Sequence, residues 1–181
     1  MSTRLMVLGV VRREKQAHGY KVYHELVSWQ AKEWSKVRPG SIYHALSQLE
    51  KEGFLKGMPT AEGTGLAKRS YVITPAGQEE FVHLVEEALV SYDLESFAGG
   101  MAFMHELPRA RVIELAKERL KAYREVSRFL STLPRETIPS TPAKHPEIVG
   151  MWESFFNDTA KWQRNFIKHL QEGNYSFVDE K

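Results

Sequence analysis

Ser41, Tyr43, His44, Ser47, Gln48 and Lys51 share one stretch, Arg38–Gly53, RPGSIYHALSQLEKEG. These are side chains that bond phosphate oxygens and base edges. A helix would gather them. Pro39 suits its first turn, where the missing N–H has no partner to lose. Ile42, Ala45, Leu46 and Leu49 follow at helical spacing and make one apolar face, and Gly53 ends the run. The opposite face has no apolar stripe and little acid before Glu50 and Glu52. Such a helix rests its apolar side on a core and offers its polar side to a nucleic acid.

Other chemistries have less support. None of the seven histidines stands in a His-Glu-x-x-His pair or another metal signature. Glu79 and His83 lie one helical turn apart, which is the spacing of an ordinary surface contact. His44 belongs to the polar face just described. The chain has no cysteine, so thiol catalysis and disulfides are excluded. It has no Gly-x-Ser-x-Gly elbow, and Gly63-Thr64-Gly65 is not followed by the Gly-Lys-Ser/Thr of a phosphate loop. A protein that is not an enzyme and holds neither metal nor cofactor is expected.

The neighbouring residues say what positions the helix. Phe54-Leu55-Lys56 starts a strand and Arg69–Ile73 is its return, with the turn-rich Pro59–Lys68 between them. Thr74 then caps a new helix that has Pro75 at its first position. Helix, two-stranded ribbon, helix is the order of a winged helix-turn-helix. On that frame Lys56, Lys68 and Arg69 lie on the wing and meet phosphates. Tyr20 and Lys21 occupy the first turn of the second helix, where a helix N-terminus favours a phosphate; packing is an equal reading for Tyr20. Gln16–Gly19 reads as a break between the first two helices.

The same residues carry a resemblance. His18-Gly19-Tyr20, then Pro39-Gly40-Ser41-Ile42-Tyr43 with Leu46, Leu49, Glu50 and Gly53, then Tyr71-x-Ile73-Thr74-Pro75-Ala76-Gly77, resemble the PadR family of bacterial transcriptional regulators. The likeness is close over roughly the first half of the chain and extends to the rest only in layout. It implies a dimeric repressor whose third helix enters the major groove, with the first helix in the dimer contact. It also implies an effector that is a phenolic acid or a flat hydrophobic compound.

Charge agrees with a DNA reader joined to another module. Residues 1–77 hold twelve Lys/Arg against six Asp/Glu, a net of +6, and residues 78–181 hold thirteen against seventeen, a net of −4. The apolar run Leu5–Val11 is too short to span a membrane and no cleavage pattern follows it, so a cytoplasmic protein without membrane contact is expected. The first helix, Thr3 to about Lys15, is apolar on more than one side, which suits packing both on its own domain and on another molecule. Later helices are expected at Pro75 to about Glu95, Pro108 to about Thr132 and Glu147 to about Gln171. Phe97–Leu107 reads as a short helical or irregular joint and the prolines from Pro134 to Pro146 as a loop. Arg119 interrupts the seam Ala116, Tyr123, Val126, Leu130 and Leu133. In the final helix Ile148, Trp152, Phe155, Thr159, Trp162, Phe166 and Leu170, widened by Met151, Phe156 and Ile167, make a stripe too wide for one neighbour, part of which suits a subunit contact.

The expected fold is mainly α with a small β wing: an N-terminal winged helix-turn-helix over 1–95 and a C-terminal helical dimerisation and effector module over 96–181. The expected partners are double-stranded operator DNA, on a pseudo-palindrome, and a second copy of the chain. Trp29, Trp34, Trp152 and Trp162 are candidates to hold a small hydrophobic or phenolic effector, with a packed core as the competing reading. A winged helix that binds protein rather than DNA is the alternative for the whole.

Overall fold

The computed structural model describes residues 3–29, 38–58, 69–134, 137–138, 141–142 and 145–180. The chain divides into two compact units, Met1–Leu107 and Pro108–Lys181.

In the first unit α1 (Thr3–Glu14) is the central element. Seven consecutive residues, Leu5 to Val11, are buried. Around it lie α2 (Gly19–Ser28), α3 (Pro39–Lys51), α4 (Pro75–Val90) and α5 (Leu94–Phe103). The approach is closest at Gly9, where a Cβ would come within 2.2 Å of the Phe103 ring, so only glycine fits. Phe103 also meets Phe81 edge-on, with ring centroids 5.4 Å apart. This corrects the expectation that α1 shares its apolar surface with another molecule. Its buried run is enclosed by elements of its own unit.

The sheet has three antiparallel strands, not two. β2 (Leu55–Met58) pairs with β3 (Ser70–Ile73), and β1 (Ala17–His18) adds to the other edge of β3, in the order β1-β3-β2. The segment Gln16–Gly19 is therefore a strand as well as a break. Two residues are too few to show a period, so the sequence carried no signal for it. The expected helix to Glu95 also divides. It ends at Val90, and Asp93 caps α5 by accepting the Ser96 N–H at 2.8 Å. Phe97 to Phe103 is accordingly helical, followed by a single 3-10 turn at Met104–Glu106.

In the second unit α6 (Arg109–Ser131) and α7 (Pro146–Gln171) pack as an antiparallel hairpin. Arg119 meets Gln163 and Ser127 meets Asn157, so partners on one helix fall in number as those on the other rise. The proline-rich connection holds a two-residue ladder, β4 (Thr137–Ile138) with β5 (Thr141–Pro142).

Arg119 does not break the seam; it is buried within it. Its guanidinium donates to the Gln163 side-chain carbonyl and to the Tyr123 hydroxyl, each at 2.7 Å, and lies 4.6 Å from the Tyr123 ring centre. Gln163 in turn donates to the Ala116 carbonyl at 3.1 Å. A buried charge is tolerated only when satisfied in this way. At the far end the chain folds back after α7. Arg109 is bonded to the Leu170 and Tyr175 carbonyls and to Glu180, and its guanidinium covers the fully buried Phe177 ring. The Arg109 N–H donates to Asp179 at 3.2 Å, so the tail caps the first turn of α6.

Candidate nucleic-acid interface

The interface is built on α3. Ile42, Ala45, Leu46 and Leu49 are buried on one side. At 100° per residue the opposite side carries Gly40, His44, Ser47 and Lys51. Gly40, His44 and Lys51 are exposed and Ser47 is half-buried. The helix start is closed locally: the Arg38 N–H donates to Ser41 Oγ at 3.0 Å and the Ser41 hydroxyl donates to the Arg38 carbonyl at 2.7 Å. Ser41 therefore spends its proton on the helix start and retains only acceptor capacity for a ligand. Tyr43 sits at the flank, half-buried, with its ring against the backbone of Gly19. It packs α3 onto α2.

The turn after α3 is tightly held. Gly53 has a φ of +81°, a conformation that L side chains rarely adopt. Thr74 caps α4 by accepting the Gly77 N–H at 3.0 Å, and its hydroxyl donates back to the Gly53 carbonyl at 2.7 Å. A Cβ on Gly77 would lie 2.1 Å from the Phe54 carbonyl oxygen. The Thr-Pro-Ala-Gly run thus fastens the base of the wing to the end of α3.

The cations have individual settings. Tyr20 is 62% exposed and its ring lies 4.0 Å from that of His24. Lys21 is exposed and ion-paired to Glu14, which holds that carboxyl below its ordinary range. Lys56 points outward from β2 and Lys51 from the last turn of α3. Arg69 is exposed and bonded to Glu50 at 2.7 Å. Lys68 lies outside the described residues. Tyr20, Lys21, His44, Ser47, Lys51, Lys56 and Arg69 are thus solvent-accessible side chains of one compact unit, while Ser41 and Tyr43 serve its local packing first.

Three residues here have contacts that the sequence reading did not anticipate. Glu50 accepts the Gly57 N–H at 3.2 Å as well as Arg69. Gln16 donates to the buried Ser70 hydroxyl at 2.7 Å. Arg4 bridges Glu52 and Glu80 at 2.6 and 3.1 Å, tying the end of α3 to α4 through α1. All three are contacts between residues distant in sequence, which spacing cannot reveal.

The tryptophans are dispersed. Trp29 is in the first unit, under the Arg13 guanidinium at 4.8 Å, and donates to Glu25 at 3.2 Å. Trp152 and Trp162 are in the second unit, and Trp162 stacks on Phe166 at 5.2 Å. Trp34 lies outside the described residues. The first unit has a cleft of about 210 Å³ beside Leu5, Leu84 and Ser96, and the second a polar cleft of about 600 Å³ beside Arg124, Asn157 and Arg164. Neither is lined by a tryptophan. Among the described residues no helix is long and apolar enough to cross a membrane, and no cluster of His, Asp and Glu could hold a metal ion.

A helix with a polar outward face, followed by strands and a capped helix, defines a winged helix-turn-helix domain. Residues 7–83 match the Transcriptional regulator PadR-like family. That family is one of regulators and not of enzymes. No curated protein matches the chain. Among solved structures, Bacillus subtilis PadR in complex with operator DNA is 19% identical, over 92% of this chain and 98% of that one, with a TM-score of 0.39. The PadR-like regulator BC1756 from Bacillus cereus is 21% identical, over 94% and 99%, with a TM-score of 0.41. Bacillus subtilis PadR in complex with p-coumaric acid is 18% identical, over 93% and 98%, with a TM-score of 0.37. At such identities and scores these likenesses add nothing to the match over residues 7–83.

Proposed function

We propose that the protein is a dimeric repressor that binds a pseudo-palindromic operator, with α3 of each copy in successive major grooves about 34 Å apart. The observation that carries this is the outward face of α3, where Gly40, His44, Ser47 and Lys51 stand opposite four buried apolar residues. His44 and Ser47 meet base edges, with Ser41 and Tyr43 at the margin. Tyr20, Lys21, Lys51, Lys56, Lys68 and Arg69 hold the backbone. The +6 charge of residues 1–77 supports it independently. In this reading residues 1–95 read DNA and the subunit contact lies within 96–181, on the exposed stripe of α7.

Release by a small hydrophobic or phenolic effector belongs to the same reading, supported by the part-exposed rings of Trp152 and Trp162. The effector must prefer one spacing of the two α3 helices, because equal binding to both states shifts nothing. Fluorescence anisotropy with the DNA upstream of the coding region tests the core claim. Binding should weaken steeply with salt and exceed that to random duplex. Failure to bind any duplex at low salt, with capture of a protein partner instead, would favour the protein-binding alternative.

A further inference from the structure

Glu50 sits at the junction of the three parts that must meet DNA together. It lies in the last turn of α3. Its Oε1 accepts the Gly57 N–H of β2 and the Arg69 guanidinium at the start of β3. The space between them is full: a Cβ on Gly57 would come 2.2 Å from Arg69 Nε and 2.3 Å from Glu50 Oε1. Gly57 pairs in register with Tyr71, whose ring is fully buried. One carboxylate therefore joins the end of α3 to both long strands of the wing.

The pair has an electrostatic consequence. Arg69 has 45% of its side chain in solvent and Glu50 has 22%, so the cation reaches outward while its counter-charge stays behind it. A DNA phosphate approaching the wing must share Arg69 with a carboxylate already in contact. We propose that Glu50 is a specificity-determining residue that withholds Arg69 from non-operator phosphates. This inference rests on the DNA-binding reading above. On random duplex, where α3 finds few base contacts, the wing lies less closely and Glu50 keeps Arg69. On operator, close seating of α3 brings the phosphate near enough to compete. The carboxylate thus subtracts one cation from indiscriminate binding and leaves it available for the cognate site.

Glu50→Gln removes the charge and keeps the shape. The variant should bind random duplex several-fold more tightly, and the slope of log affinity against log salt should steepen by about 0.9, the value for one more phosphate. The preference for operator over random DNA should fall. In the E50Q/R69Q double variant the slope on random duplex should return to that of the wild type, whereas R69Q alone should change it much less. Glu50→Asp keeps the charge but is too short to reach both partners, and should steepen the slope as E50Q does; it also replaces E50Q if that variant melts early. An unchanged slope in both variants, or a steepening that R69Q does not reverse, overturns the proposal. If the wild type binds operator and random duplex alike, Glu50 has no preference to set and the proposal fails while DNA binding stands. If the wild type binds no duplex, both readings fail.

Discussion

α1 and α7 are both rich in apolar residues, yet they end in opposite situations. The buried run of α1 is wrapped by four helices and two strands of its own unit. In α7 only Ala160, Gln163, Phe166, Ile167 and Leu170 are buried, while Ile148, Met151, Trp152, Phe155 and Trp162 stay between 42% and 58% exposed. Two helices cannot enclose each other, so a hairpin leaves part of any wide stripe in water. A wide apolar helix thus marks either the centre of a unit or an unfinished surface, and the number of elements around it decides which.

The sharpest way to break this comparison is by truncation. Leu8→Ala should cost about 2–5 kcal/mol in denaturant unfolding, as for a fully buried site, whereas Ile148→Ala should cost under about 0.5 kcal/mol. Equal losses would mean that α7 is covered as completely as α1. The buried polar group sharpens it next. Gln163→Leu removes a charge-assisted hydrogen bond from Arg119 and should cost about 1.5–3 kcal/mol. The double variant R119M/Q163L should recover much of that, since replacing both partners removes the uncompensated charge. A double variant no better than the single one would show that Arg119 serves mainly as packing.

Trp152→Ser with Phe155→Ser should change unfolding of the separated chain little, and should shift the protein to monomer by light scattering at micromolar concentration. A dimer that survives both changes places the subunit contact elsewhere. The smallest effect concerns acid. The bond from Arg109 holds the Glu180 carboxyl below its ordinary range. Its contribution is therefore complete at and above that range and fades as pH falls through the depressed value. The melting-temperature gap between wild type and Arg109→Gln should be flat near neutrality and narrow in acid; a gap constant down to the pH of unfolding would contradict it.

The legible parts were those written in adjacent residues. Pro39 and Gly53 bound α3, Thr74 and Pro75 open α4, and the four-residue apolar face of α3 is buried as its spacing requires. Asp93 and Ser96 also carried a helix start in plain sight, but Pro75 to about Glu95 read as one continuous helix. Contacts across the chain were invisible. Glu50 read as a minor acid on a basic face, Ser41 as a base contact and Arg119 as an interruption. Each acquires its meaning from a partner: Gly57 and Arg69, the Arg38 backbone, and Gln163.

The Arg119–Gln163 bond limits how the hairpin can move. Sliding one helix past the other by a turn, about 5.4 Å, would take the Gln163 acceptor away from the buried guanidinium and leave it the Tyr123 hydroxyl of its own helix. Shear between α6 and α7 is therefore opposed by this bond. The register of the hairpin is thus pinned at its middle by this bond and at its end by Arg109, which clasps the returning tail at the first turn of α6.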